Sequence, residues 1–192
     1  LEQAGFLIEA AELAAYALPK REAVWWACLC ADDTAPVDLP TADRSARQEA
    51  ERWVREPTDM VRRDAMKVAE AAGFKTAETW AAVAAFWSEG SLAPAGKPVL
   101  GPAPRLTGKA VTVAIRLSVA RGDSADESAL LRSVLRRART IAAGAAGRSA
   151  EETFTTGRVA ANPVSRPLAA DETVPAGRMA DKSLRAARLT AE

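Results

Sequence analysis

The sequence predicts an all-α protein: about seven helices packed as antiparallel hairpins, as a bundle or a short HEAT/TPR-like stack, with an extended C-terminal tail. Three observations predict it. Hydrophobic residues make up 48% of the 192 residues, and about half of them are alanine, the strongest helix former. Runs of β-branched residues, the usual strand signal, are nearly absent. Stretches of helical spacing recur between proline and glycine punctuation. No strict repeat period is visible, which makes a true solenoid the weaker option. Alanine buries little area per residue, so the five Trp and four Phe must supply much of the large apolar surface.

The elements follow in order. Residues 2–17 read as a helix ending before Pro19, with Phe6, Leu13 and Ala17 near one face and Ile8 and Glu12 off it. Pro19 suits the first turn of a second helix, which carries Trp25, Trp26 and Leu29. That helix is apolar nearly all round, the mark of a central, enclosed element. After a loop with Pro36 and Pro40, Thr41 looks like the N-cap of a third helix, stopped by Pro57. Thr58 caps a fourth, in which Met60, Val61, Ala65, Val68 and Ala72 follow helical spacing and Gly73 is the natural end. Thr76 opens the clearest helix, with Trp80, Ala84 and Trp87 at i, i+4 and i+7, closed by Gly90.

Residues 91–105 hold four of the eleven prolines and break the pattern. They read as an extended, partly polyproline II connector. Its Leu92, Val99 and Leu100 imply that it lies against the protein surface and is not free. Thr107 then starts a sixth helix and Ser124 or Asp126 a seventh, expected to pair antiparallel across the short RGDS turn. The helical domain is thus placed at residues 1–147. Residues 148–192 read as an extended or disordered tail with a possible short helix at 179–190.

Composition excludes several classes of function. Histidine is absent, which removes Ser-His-Asp and Cys-His mechanisms and His-ligated zinc. Cys28 and Cys30 point about 200° apart on a helix and lack further thiolates or imidazoles to complete a metal site. They read as buried structural cysteines, and a reducing cytoplasm is the expected compartment. The chain opens on Leu1 and not Met, which leaves room for an upstream segment. No apolar run reaches the length of a membrane span. Glu49–Arg52 and Glu51–Arg55 are spaced as helical ion pairs. No phosphate-loop, dinucleotide or nucleophile-elbow motif occurs. No catalytic, cofactor or metal residue is expected, and no cofactor.

The remaining candidates concern binding. Trp80 and Trp87, with Trp25, Trp26 and Trp53, line either the core or an aromatic groove for a partner. Arg132, Arg136 and Arg139 form a basic stripe with Arg137 beside it, and Arg62, Arg63 and Lys67 a smaller cluster. The bland reading is a solvated face or internal ion pairs. Basic stripes can also bind phosphates, but the formal charge is only +1, so nucleic acid is not the expected partner.

The stretches ALPKREAVWWACLCA (17–31), LPTADRSARQEAERWVREP (39–57) and WAAVAAFWSEGSLAP (80–94) resemble a bacterial domain family of unknown function. Its members are often encoded near type VI secretion components, including spike and adaptor proteins. The resemblance covers roughly residues 1–147. It implies a helical accessory or adaptor protein of a contractile secretion apparatus, with a protein partner such as a spike, effector or adaptor. The expected function is therefore a non-enzymatic interaction module. Its candidate surface comprises Trp80, Trp87, Leu92, Val99 and Leu100, or the tail. The alternative is an immunity or regulatory protein that touches nucleic acid through Arg132, Arg136 and Arg139.

Overall fold

The computed structural model describes residues 5–94, 96–122 and 127–157. Among them are seven helices and no strand: α1 (Leu7–Ala17), α2 (Lys20–Asp33), α3 (Thr41–Arg55), α4 (Asp59–Ala72), α5 (Ala77–Phe86), α6 (Leu106–Ala120) and α7 (Glu127–Gly157). The predicted all-α class and helix number hold. No helix among these residues is long and apolar enough to cross a membrane.

Both ends of α4 and the start of α5 fall where the capping chemistry puts them. Thr58 Oγ1 accepts from the Val61 amide at 3.3 Å, and Gly73 ends α4 in the left-handed conformation at φ 84°. Thr76 and Thr79 form a reciprocal capping box at the start of α5. The third helix starts differently from expectation. Pro40, not Thr41, holds the N-cap position, with Thr41 the first helical residue. Asp43 in that first turn is buried and accepts from Thr76 Oγ1 at 2.8 Å, which ties the starts of α3 and α5 together.

The centre of the molecule is α5 rather than α2. Every α5 residue except the half-buried Trp80 is buried, and α2, α3, α4 and α6 all pack on it. Its small side chains explain this: five of its ten residues are alanine, so four helices can approach at once. The second helix is the next most enclosed; Trp26 is fully buried and its indole N–H donates to the Val134 carbonyl at 3.0 Å. Trp25 and Leu29 are only half-buried.

The buried face of α1 also differs from the predicted one. Leu7, Ala11, Ala15 and Leu18 face the core, while Phe6 (51%) and Leu13 (61%) are exposed, as is Ala17. Alanines on the inward face let α1 lie close to α6. The Tyr16 ring occupies the space a side chain at Gly108 would need, and Glu12 pairs with Arg116. Close approach thus selects the small face over the large one. In α4, likewise, Met60 is exposed while Val61, Ala65 and Ala69 are buried.

The expected α6–α7 hairpin is not formed as a close pair. α7 lies chiefly against α1 and α2 and touches α6 more sparsely. α7 also continues through Gly157, past the predicted end of the domain at residue 147. The rest of the predicted tail, including 179–190, lies outside the described residues.

Candidate functional site

The connector leaves the C-terminal end of α5 and runs outside any regular element to α6. It is held from beneath by two neighbouring arginines of α4. Arg62 is fully buried. Its Nε and Nη2 donate to Asp59 Oδ1 at 3.1 and 2.5 Å, Nη1 donates to the Phe86 carbonyl at 2.6 Å, and Nη2 reaches the Ser91 carbonyl at 2.8 Å. The guanidinium also lies over the Phe86 ring, 4.6 Å from its centre. Arg63 repeats the pattern nearer the surface, with Nε on Asp59 Oδ2 at 2.7 Å, Nη1 on the Ala93 carbonyl at 3.0 Å and Nη2 on the Ser91 carbonyl at 3.1 Å. The two arginines hold the Asp59 carboxyl below its usual range, Arg63 foremost.

Gly90 makes this seat possible. It sits at φ +66°, and a Cβ there would come within 2.9 Å of the Arg62 guanidinium. Ser91 then ties the connector to itself: its Oγ accepts from the Ala93 and Leu100 amides, each at 3.1 Å. The Leu92 amide donates to the Leu100 carbonyl at 2.8 Å. At the far end Thr107 Oγ1 donates to the Trp87 carbonyl at 3.0 Å. With both ends fixed, Val99 (84%) and Leu100 (60%) project into solvent while Leu92 is half-buried.

Trp80 and Trp87 are brought together edge to face, 6.1 Å apart at 71°. Both are half-buried against the core, and the Trp80 indole N–H donates to the Phe74 carbonyl at 3.0 Å. Much of their surface is therefore engaged in packing. The stripe of Arg132, Arg136 and Arg139 is exposed on α7, a helix that packs chiefly on α1, α2 and α6, whereas the connector's mount is on α4. Arg137 beside it pairs with Asp33 at 2.7 Å. The structure thus separates the candidate residues into two surfaces.

Two buried ionic features escaped sequence reasoning. Arg62 was grouped with Arg63 and Lys67 as a basic cluster, yet it is interior, while Lys67 pairs with Asp64 at 2.8 Å. A signal existed: Arg62 falls on the same helix face as Ala65 and Ala69, three residues after Asp59. Glu78 is likewise fully buried and pairs with Arg121 at 2.9 Å, although Glu78 Oε2 and Arg121 Nε and Nη2 have no partner among the described residues.

Cys28 and Cys30 are free and buried on α2. Burial pushes the Cys28 thiol far above its ordinary range, with Glu51 adding to the effect. Burial, with Asp33, pushes Cys30 up to about 12. Neither has thiolate character near neutral pH. Among the described residues no cluster of three or more potential metal ligands occurs.

Compared with known proteins, residues 1–142 match the model of a family of unknown function (DUF6931). No curated protein and no solved structure matches the chain.

Proposed function

The chain belongs to this family of unknown function, and we propose that it is a non-enzymatic protein–protein interaction module that uses the connector as its partner surface. One observation carries the reading. A fully buried arginine grips the root of the connector through two main-chain carbonyls, while Val99 and Leu100 beyond it are 84% and 60% exposed. Exposed apolar side chains on a segment fixed at both ends lose little conformational entropy on binding. A segment held this way is pre-organised for a partner. The resemblance of the 17–31, 39–57 and 80–94 phrases to a family encoded beside contractile secretion components makes the partner a spike, effector or adaptor protein of such a system. The module would then be an accessory or adaptor in type VI secretion.

The test is capture from the native cell by the full chain, with the captured proteins identified by mass spectrometry. Val99→Asp with Leu100→Asp should abolish capture and leave the melting temperature unchanged. Undiminished capture by that variant would remove the connector from the proposal. The second reading, a regulatory or immunity protein that contacts nucleic acid, is favoured by the exposure of Arg132, Arg136 and Arg139 along one face of α7. It requires duplex DNA or RNA binding that weakens steeply with salt and is lost when the three are replaced by glutamate. Absence of binding at low salt would remove it.

A further inference from the structure

Resting on the reading of the connector as the partner surface, we infer that its partner presents an aromatic-lined groove with an acidic rim and takes residues 98–103 as a polyproline II segment. The residue order is KPVLGPAPR from Lys97 to Arg105, with prolines at 98, 102 and 104. Proline fixes φ near the polyproline II value and has no amide to donate. Three residues complete one turn of that helix. Val99 and Pro102 therefore fall in one row and Leu100 and Ala103 in the next, before the chain turns at Ala103–Leu106 and Arg105 (φ -89°, ψ -6°) caps α6. Two apolar pairs, Val99–Leu100 and Pro102–Ala103, stand one turn apart on a shared edge. Aromatic grooves that accept proline-rich segments recognise this repeat through ring contacts to successive apolar pairs.

The exposure fits. Residues 96–101 and 103–105 are exposed and Pro102 is half-buried. The charge fits as well. Between Glu89 and Asp123 the sequence has no acidic residue and five basic ones, Lys97, Arg105, Lys109, Arg116 and Arg121. Lys97 and Arg105 flank the apolar pairs and are both exposed. A groove with carboxylates at its ends would match them, whereas a basic groove would be repelled.

The competing mode is addition of the connector to the edge of a partner sheet, which depends on main-chain amides. Proline replacement separates the two. In the full chain, P98A/P102A/P104A removes the polyproline bias and restores three amide donors. Polyproline docking requires at least tenfold weaker partner capture by this variant at an unchanged melting temperature. Equal or tighter capture would overturn the inference in favour of strand addition. K97E/R105E should also weaken capture at least tenfold at low salt, and no loss would remove the acidic rim.

A photo-cross-linking benzoylphenylalanine at position 99 of the full chain, irradiated in the native cell, reads the partner surface directly. Adducts on a surface lined by Trp, Tyr or Phe with neighbouring Asp or Glu support the inference. Adducts on a strand edge, on a helix or on a second copy of this chain overturn it but leave the connector as the partner surface. If position 99 gives no adduct while position 136 on α7 does, both this inference and the proposed function fail.

Discussion

Replacing Arg62 by alanine removes a side chain that joins α4, the end of α5 and the start of the connector. The Phe86 and Ser91 carbonyls each lose a hydrogen bond from a charged donor, worth roughly 1.5–3 kcal/mol apiece. Asp59 is 59% exposed and regains water, so its loss adds little. Deleting a buried charge also recovers part of its desolvation cost, which offsets some of the sum. The net destabilisation is about 3 kcal/mol, a large share of the ~5–15 kcal/mol that holds a domain of this kind. Urea unfolding followed by circular dichroism should show a midpoint lower by roughly 1–3 M for an ordinary slope. Arg62→Lys keeps the charge but not the planar fork, and should lie between wild type and alanine. Local loosening adds a second readout: trypsin should cut after Arg105 faster in Arg62→Ala than in wild type under native conditions. A loss below about 1 kcal/mol with unchanged cleavage would refute the mount.

Other outcomes follow from the same packing. Glu78→Ala leaves the half-buried Arg121 charge without its partner and should destabilise by about 2–3 kcal/mol, whereas E78L/R121L should recover most of that loss. Chemical denaturation of the three variants gives the coupling. Leu7→Ala should cost about 2–3 kcal/mol and Leu13→Ala under ~0.5 kcal/mol, which checks the face of α1 that is buried. The pH dependence has a definite sign. The native thiols sit above their unfolded value of 9.0, so their contribution is complete below pH 9 and is lost as pH rises beyond it. The loss is about 1.4 kcal/mol per thiol per pH unit, and it should shrink in C28A/C30A. At the acid end the lowered Asp59 value gives stability present above its unfolded value of 3.8 and lost as pH falls through the lower folded value. Denaturation midpoints against pH test both limbs.

Much of this architecture was legible because local chemistry set it. Thr58, Gly73 and Thr76 mark helix ends through capping bonds that need no tertiary partner. The connector was legible for the same reason, since its prolines cannot continue a helix. Faces were harder to read where the core is built from alanine. A hydrophobicity pattern weights Phe6, Leu13 and Met60 above Ala11, Ala15 and Ala65, yet close helix approach selects the smaller side chains. The mount was hidden because its partners come from distant positions. Arg62 binds carbonyls of Phe86 and Ser91, and nothing in the sequence around Arg62 announces them. Glu78 and Arg121 are separated in the same way. The exposed pair Val99 and Leu100 was visible in sequence, but its firm seating was not.

Hydrogen exchange of the full chain, alone and bound to the protein it captures from its own cell, tests the proposed role most directly. Added protection at the Val99, Gly101 and Ala103 amides, with the α5 amides unchanged, is the expected result. Protection confined to α7 around Arg132–Arg139, with the connector exchanging as in the free chain, would contradict it.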